Sequence, residues 1–323
     1  MWKIKDIEIK SHVVLGPMAG VTSLGYRDFM KPFGVGLSVT EMVSDCGLIY
    51  GNKTTLEYIE TSDIDHPVAI QLFGGDANNI CKAMDIVIKH NPNFEMFDIN
   101  LGCPVPKVTK AGAGSALLKD TKKLYEYIKQ IVEYSPKPVT AKIRLGWDDK
   151  SINVIENVEA LEKAGVAAIA IHARTTKQLY SGKPDFEVIR DLGSKMKVPL
   201  IISGDIFTLD DAIKAKEITK ATAIMVARGG VGNPHLVRQI NTYFESGEIL
   251  PPISIFENID NLYKLTDAYI EEKGEQKAMM ILRGIAPKFF AAHPNSKHLR
   301  SELAQSITTK QSMIDIIDKY IKI

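Results

Sequence analysis

The sequence has no long apolar run, no cluster of cysteines and no excess of one charge. None of its apolar runs approaches the roughly 20 residues of a membrane-spanning helix. The opening stretch MWKIKDIEIK alternates apolar and charged residues instead of forming the apolar core of a signal peptide. Its three cysteines, Cys46, Cys81 and Cys103, lie far apart, which fits neither a disulfide framework nor a zinc or iron–sulfur site. These absences predict a cytoplasmic protein without a metal site or a membrane partner.

The formal net charge of +1 neither indicates nor excludes a nucleic-acid partner, because a basic surface can exist locally on a neutral chain. Hydrophobic residues make up 45% of the chain, which supports a full core and argues against disorder. A length of 323 residues suits one large barrel with a small appendage.

What the sequence does have is a regular alternation of strand-like and helix-like segments. Short β-branched runs predict eight strands, at 13–15, 37–40, 68–72, 96–100, 139–143, 168–171, 200–202 and 223–226. Between them, residues 153–165 show helical spacing and a glycine stop, and residues 208–220 begin with a threonine cap and early acidic residues. This order predicts an α/β fold, a (β/α)8 TIM barrel, with an open doubly wound sheet as the alternative.

The pattern changes near residue 241. The stretch ESGEILPPISIFENI contains a glycine and paired prolines and predicts a linker. Helical periodicity without a convincing strand follows as far as Ile323. We therefore expect a barrel domain over residues 1–243 and a small, all-helical C-terminal domain over residues 244–323.

Polar residues and glycines concentrate where the predicted strands end. Active sites of barrels lie at these C-terminal ends, so one bowl should receive Gln71, Asn100, Cys103, Lys142, His172 and Arg174. The segments Ser203-Gly204-Asp205 and Ala227-Arg228-Gly229-Gly230 follow strands seven and eight. Their small residues let backbone N–H groups approach a phosphate, and Arg228 adds a charged fork. Two such loops at these two strands favour a phosphate site over ordinary turns.

The other polar residues also have structural interpretations. Lys142 is either a surface lysine at a strand end or a cation that holds negative charge on a reduced cofactor ring. His172 and Arg174, two residues apart, favour ligand contact over a structural histidine. The Gln71 amide both donates and accepts, so it suits a strand-end cap or the edge of a heterocycle.

Cys103 lies between Gly102 and Pro104, just past an apolar run, in a glycine-rich loop over the predicted barrel mouth. A lone cysteine is usually a small buried hydrophobe. However, a free thiol with a pKa near 8.5 is mostly protonated at neutral pH and can give a proton to a developing carbanion. A nucleophile would need a depressed pKa and a nearby base. The sequence has no catalytic cysteine–histidine signature, so we predict a general acid.

The motifs PMAGVT, NLGCPVPKVTKAGAGSALL, KIRLGW, HARTT and SGDI, in this order and spacing, resemble those of the tRNA-dihydrouridine synthases, most closely the bacterial B type. The resemblance covers nearly the whole chain, and the segment around Cys103 is its most specific part. It implies an FMN-dependent reductase with a TIM-barrel catalytic domain and a helical domain that helps to hold tRNA. In that family NADPH reduces the flavin, a hydride passes to carbon 6 of a uracil, and a cysteine protonates carbon 5.

The resemblance also implies roles for single residues. Cys103 would be the proton donor, Asn100 would position the flavin or the target uracil, and Arg174 would contact substrate or phosphate. FMN would contact Pro17, Met18, Ala19, Gln71, Lys142 and His172, with its phosphate against Ser203, Gly204, Asp205, Ala227 and Arg228. The chain departs from the family's usual residues at Gly16 (usually alanine), Ser203 (usually asparagine) and Ala227 (usually glycine).

A basic stretch in the helical region is a candidate RNA surface. Residues 277–300 contain no acidic residue and include Arg283, Lys288 and Arg300. With the family resemblance, this composition predicts contact with the tRNA backbone. The alternative is a solvated helical face.

Two other functions fit parts of the sequence. One is a flavin-dependent barrel reductase of a free small molecule, similar to dihydroorotate dehydrogenase; the cysteine loop and the basic tail argue against it. The other is a non-catalytic RNA-binding protein that has kept a flavin barrel; the presence of Cys103, Lys142 and His172 argues against that. The sequence leaves open which uridine is reduced and whether NADPH or NADH is the reductant.

Overall fold

The computed structural model describes residues 1–321. The strands are β1 (Trp2–Ile4), β2 (Ile7–Ile9), β3 (Val13–Leu15), β4 (Leu37–Val39), β5 (Val43–Ser44), β6 (Val68–Phe73), β7 (Met96–Asn100), β8 (Val139–Arg144), β9 (Ile169–His172), β10 (Leu200–Ser203) and β11 (Ala223–Val226).

The helices up to the end of the barrel are α1 (Leu24–Met30), α2 (Asp45–Ile49), α3 (Lys53–Glu57), α4 (Ala77–His90), α5 (Pro106–Lys110), α6 (Thr121–Tyr134), α7 (Val154–Ala164), α8 (Leu209–Thr219) and α9 (His235–Ser246). The C-terminal helices are α10 (Ile255–Lys273), α11 (Glu275–Ile285), α12 (Lys297–Ser306) and α13 (Lys310–Tyr320).

Eight parallel strands close into a barrel. In sheet order they run β4, β3, β11, β10, β9, β8, β7 and β6, and the pairing of β4 with β6 closes the ring, for example through Ser38 opposite Val68. The two-residue strand β5 pairs with the far end of β6. The predicted (β/α)8 barrel is therefore confirmed, and the open doubly wound sheet is excluded because β4 and β6 leave no free edge.

Side chains alternate between the barrel interior and the surrounding helices, as the two-residue period of a strand requires. Along β7, Phe97 and Ile99 pack in the core beneath the helices, whereas Met96 belongs to a separate interior cluster with Ala69 and Val14. The hairpin β1–β2 adds Trp2, Ile4 and Ile9 to that cluster. The lower barrel is therefore filled with apolar side chains, which leaves the upper half for polar ones.

Local sequence signals explain where two of the predicted helices end or begin. Helix α7 stops at Gly165, whose φ of 95° is the left-handed conformation that glycine adopts at little cost. Helix α8 starts with a capping box between Thr208 and Asp211.

The C-terminal helices pack onto the loop and helix that follow the first barrel strand. The Glu272 carboxylate of α10 accepts hydrogen bonds from Ser23 Oγ at 2.6 Å and from the Gly25 amide at 3.0 Å. The Tyr269 hydroxyl donates to the carbonyl of Val21 at 2.9 Å. A Cβ at Gly25 would lie 2.8 Å from the carbonyl oxygen of Ala268, so the absence of a side chain permits this close packing.

The predicted division between residues 243 and 244 falls inside α9, which continues to Ser246. Gly247, with φ of 78°, ends that helix, and residues 247–254 form the non-helical connection to α10. The predicted linker stretch contains this connection together with the end of α9 and the start of α10. Two domains remain a prediction. Within residues 1–321 no helix is long and apolar enough to cross a bilayer.

Candidate active site

A cleft opens at the C-terminal ends of β3 and β8–β11. Most residues that the resemblance assigned to a cofactor line it, namely Pro17, Met18, Lys142, His172, Ser203, Gly204, Asp205, Ala227 and Arg228. Gly229 of the second predicted phosphate loop also lines it. The remaining lining residues were not assigned to the site from the sequence, namely Gly16, Tyr180, Ile206, Phe207 and Met225. Ala19 lies one residue beyond Met18 on an exposed turn.

The loops after β10 and β11 meet at one end of this cleft. A Cβ at Gly229 would lie 1.8 Å from the carbonyl oxygen of Ile206, and Gly204 has φ of 138° with its Cβ position 2.8 Å from Pro184. Gly204 and Gly229 are buried, yet no acceptor within residues 1–321 receives their amide N–H groups. Buried amides without partners are rare in proteins, so this end of the cleft fits the oxygens of a phosphate.

An ion pair between Arg174 and Asp205 lies at the same end of the cleft. The Asp205 carboxylate receives two hydrogen bonds from Arg174, one of 2.9 Å and one of 2.5 Å, and a third of 2.6 Å from Arg228 Nη2. The Arg174 hydrogen bond is the main cause that lowers the pKa of Asp205. The Arg228 guanidinium also lies 4.6 Å from the ring centre of Tyr180. Asp205 therefore stays ionised and orients Arg228 at the mouth of the cleft.

The structure does not place Arg174 where it could contact a substrate. Its side chain is fully buried. Of its five N–H groups, two donate to Asp205. The other three donate to the carbonyls of Ser181 and Gly182 and to His172 Nε2. No donor remains for a ligand. The expectation of substrate or phosphate contact is replaced by a supporting role, which the sequence could not reveal because burial depends on the surrounding loops.

His172 has a defined tautomer in this arrangement. A guanidinium can only donate, so the 3.3 Å contact from Arg174 makes Nε2 the acceptor and leaves the ring proton on Nδ1. Burial, followed by the charges of Lys142 and Arg144, lowers the pKa of His172 far below its usual value. The ring is therefore neutral and can donate one hydrogen bond from Nδ1.

Lys142 lies inside β8, two residues before the strand ends at Arg144. Burial lowers the pKa of Lys142 to about 8. No carboxylate of residues 1–321 forms an ion pair with it, although it lines the cleft. The charge of Asp98 offsets the effect of burial only in part, so this desolvated cation fits a ligand that carries negative charge near the barrel axis.

Beside Lys142, polar side chains of β6, β7 and β8 form a continuous chain. Gln71 Nε2 donates to Asp98 at 2.7 Å, Thr140 Oγ1 donates to Asp98 at 2.6 Å, and Asn100 Nδ2 donates to Gln71 Oε1 at 2.8 Å. Gln71 is fully buried. Sequence reasoning found Gln71 and Asn100 but missed Asp98 and Thr140. The signal was present, because residues 98 and 100 of MFDIN share one face of an alternating strand.

The Cys103 loop is held on both sides of its backbone. Asn100 Oδ1 accepts from the amides of Gly102 at 3.1 Å and Cys103 at 2.8 Å. Ser115 Oγ donates to the Cys103 carbonyl at 2.9 Å, and Arg144 Nε donates to the Gly102 carbonyl at 2.8 Å. The cysteine itself is partly exposed. Its position is therefore set by an ordered backbone on the β7 side of the barrel mouth.

The three basic residues predicted to contact RNA differ in exposure. Lys288 is exposed, whereas Arg283 and Arg300 are half-buried. Arg283 donates through Nε and Nη2 to the carbonyl of Ile307, at 3.1 and 2.9 Å, which ties α11 to the end of α12. The exposed members of this stretch also include Lys277 and Lys297.

Among residues 1–321, no group of three or more His, Cys, Asp or Glu side chains is arranged to hold a metal ion. The free amides of Gly204 and Gly229, the unpaired ammonium of Lys142 and the Nδ1–H of His172 instead offer donors to an anionic, heterocyclic ligand. These residues fit the phosphate and the ring of a flavin mononucleotide.

Comparisons with known proteins agree with the sequence motifs. A family model described as dihydrouridine synthase matches residues 14–322. A probable tRNA-dihydrouridine synthase of Rickettsia conorii is 36% identical over 301 residues, which cover 93% of this chain and 90% of that protein. The tRNA-dihydrouridine synthase B of Pseudomonas aeruginosa is 32% identical over 305 residues, with coverage of 93% and 90%.

Solved structures with lower sequence identity share the fold. An old yellow enzyme homologue from Zymomonas mobilis has a TM-score of 0.52 at 12% identity, covering 78% of this chain and 93% of that one. The BexX/CysO complex of Amycolatopsis orientalis has a TM-score of 0.51 at 17% identity, covering 78% and 98%. The barrel is thus a fold shared with distant proteins, whereas the family match extends over almost every residue. The chain belongs to the dihydrouridine synthase family.

Proposed function

We propose that this protein is a tRNA-dihydrouridine synthase that reduces the 5,6 double bond of specific uridines, with FMN as cofactor, NAD(P)H as reductant and Cys103 as proton donor. The observation that carries the proposal is the combination of a backbone-fixed cysteine with a neighbouring cleft that offers unpaired donors to a phosphate and to an anionic ring. The family membership supplies the substrate class. NADPH or NADH as the reductant and a cytoplasmic location stay predictions.

The residues that would hold FMN fall into two groups. The free amides of Gly204 and Gly229, with Arg228, suit its phosphate. Lys142 and the Nδ1–H of His172 suit the flavin ring, where a nearby cation stabilises negative charge. When bound and reduced, FMN supplies a hydride to carbon 6 of the uracil ring.

Cys103 supplies the other half of the reduction. Adding a hydride to carbon 6 leaves a carbanion at carbon 5, delocalised onto the carbonyl at carbon 4. The Cys103 S–H bond breaks as its proton forms the new C–H bond at carbon 5, and the thiolate regains a proton from water. The uracil ring gains two electrons and two hydrogens, so the step balances. Asn100 and Ser115 fix the backbone from which the thiol reaches the ring.

A uridine in folded tRNA must leave its stack to enter the barrel, which costs a few kcal/mol. Contacts with the RNA backbone would offset this cost. The exposed Lys288 lies in the segment that packs against Gly232, just beyond the loop after β11, which places it near the barrel mouth. Lys107 and Lys110 of α5 are also exposed, directly after the Cys103 loop, and form no ion pair within residues 1–321. Both surfaces support RNA binding through phosphates.

The test combines an absorption spectrum with mass spectrometry. The purified protein should be yellow, and incubation with NADPH and unmodified bulk tRNA should convert a uridine to a product two mass units heavier. Cys103→Ala should lose this product while NADPH still bleaches the flavin. Cys46→Ala is the matched control, because Cys46 is another exposed thiol, on α2, and its loss should not affect the product.

Other outcomes would contradict the proposal. A yellow protein that reduces a free pyrimidine but no RNA would be a small-molecule reductase. A protein that cannot be reconstituted with FMN would mean that the two glycine loops do not form a phosphate site. Full activity in Cys103→Ala would show that another group provides the proton.

A further inference from the structure

Asp98 is a buried acid in the middle of the barrel whose role is not explained by the cofactor or the substrate. It lies on the inner face of β7 and is 4% exposed. No basic side chain of residues 1–321 forms an ion pair with it. Its two carboxylate oxygens accept from Thr140 and from Gln71. Burying a carboxylate is costly, so a specific function for it is expected.

The hydrogen-bond chain from Asp98 to Cys103 can run in one direction only. The amides of Gly102 and Cys103 can only donate, so Asn100 must turn its oxygen towards them. The nitrogen of Asn100 then faces Gln71, which must present its oxygen there and its nitrogen at the other end. An acceptor is therefore required next to that nitrogen, and the Asp98 carboxylate is this acceptor.

A flipped Gln71 illustrates what Asp98 prevents. Its amide oxygen would face the carboxylate, and its amide nitrogen would face the nitrogen of Asn100, giving two repulsive contacts. Without the carboxylate both orientations of Gln71 become accessible. A flipped Gln71 would press its amide nitrogen against that of Asn100 and push the Asn100 oxygen away from the two backbone amides. The strand register makes this coupling direct, because Gln71 pairs with Asp98 and Asp98 pairs with Thr140 across the sheet.

We propose that Asp98 is a positioning residue: acting through Gln71 and Asn100, it fixes the orientation of the peptide that carries Cys103 and thereby the direction in which the thiol delivers its proton. Asp98 does not touch the substrate in this role. The inference rests on the proposed function of Cys103, but the ordering of the loop is a separate property that can be measured without any reaction.

The first measurement is local hydrogen exchange in the purified protein. The amides of Gly102 and Cys103 should exchange slowly in the wild type and much faster in Asp98→Leu, which removes the acceptor. In Asp98→Asn an oxygen can still face Gln71 while the new amide group donates to Thr140. This conservative variant should therefore restore slow exchange. Ser38→Ala is the matched control, since Ser38 is also buried in the barrel wall and its hydroxyl has no partner.

The second measurement separates positioning from binding. Single-turnover reduction of tRNA by the pre-reduced Asp98→Leu enzyme should be slower by about 100-fold, the loss typical of a reacting group misplaced by about 1 Å. Its KM for tRNA should change by no more than about twofold on this reasoning. Asp98→Asn should recover most of the turnover rate.

Several outcomes would overturn the inference. These are unchanged exchange at Gly102 and Cys103 in Asp98→Leu, faster exchange throughout the barrel instead of locally, or an Asp98→Asn variant as impaired as the leucine variant. If Asp98→Leu does not fold, Gln71→Met interrupts the same chain one residue later and must produce the same local loss of protection. If the wild type fails to reduce any tRNA, the proposed function is wrong, whereas the exchange result still decides the role of Asp98.

Discussion

Replacing Lys142 with methionine should make the flavin-free protein more stable. The Lys142 ammonium has no carboxylate partner in residues 1–321, and burial lowers its pKa from an ordinary value of 10.5 to about 8. At about 1.4 kcal/mol for each pH unit between the two values, the charged form costs about 3 kcal/mol at pH 7. This is an upper bound, because the side chain keeps partial contact with solvent. Methionine keeps the apolar stem and removes the charge.

The advantage of Lys142→Met should depend on pH in a defined way. Because the pKa of Lys142 is lower in the folded state, the unfolded chain holds more of its protons between about pH 8 and pH 10.5. Stability contributed by the wild-type residue therefore rises with pH across this window. The difference between variant and wild type should be largest at pH 7 and should shrink above pH 8.

Urea unfolding of the flavin-free protein at pH 7 and pH 9.5 measures this difference. Lys31→Met is the matched control, because burial also lowers the pKa of Lys31 to about 8, but its ammonium donates to the carbonyl of Asp65 at 3.0 Å. Removing Lys31 leaves that carbonyl without a partner and should stabilise less. Added FMN should stabilise the wild type more than Lys142→Met. A variant no more stable than the wild type at pH 7, or a difference independent of pH, would refute this reasoning.

Three further predictions concern the phosphate end and the RNA surface. Arg174→Met should lower the free energy of unfolding by about 3–5 kcal/mol, because it leaves the Asp205 carboxylate without its main partner; a loss below about 1 kcal/mol in urea unfolding would contradict this. Ser203→Ala should weaken FMN binding about fivefold in a fluorescence titration, because the Ser203 hydroxyl lines the cleft without a protein partner; an unchanged Kd would mean that it makes no contact. Replacing Lys288 and Lys297 with glutamine should reduce the salt dependence of tRNA binding, by about 0.7–0.9 in log–log slope per lysine, while NADPH still reduces the flavin at the same rate; an unchanged slope would place the RNA elsewhere.

Sequence patterns predicted the architecture because each one reports a local preference. The β-branched runs predicted eight strands whose ends match the observed ones or differ from them by one residue, for example β4, which ends at Val39 instead of residue 40. The ends of α7 and α8 followed from Gly165 and from Thr208, which act within a few residues of themselves. The predicted division between residues 243 and 244 falls inside α9, because the sequence continues to favour a helix until Gly247.

The candidate site was predictable as a set of positions but not as a set of interactions. Strand-end positions identified Lys142, His172, Gly204 and Arg228, and the structure brings all four to one cleft. No sequence pattern indicated that Arg174 would be enclosed, since its partners come from the loop at 181–182 and from Asp205.

The (β/α)8 order, the glycine loops and the position of the cysteine just past a strand can be read from the amino-acid sequence, because periodicity, caps and turns depend on neighbours in the chain. How the polar residues act on one another depends on the folded barrel. Asp98, Gln71 and Asn100 lie on two strands far apart in sequence, and the barrel register brings them within hydrogen-bonding distance. The direction of those hydrogen bonds depends on which groups can only donate and which can only accept, and that becomes defined only when the strands pair.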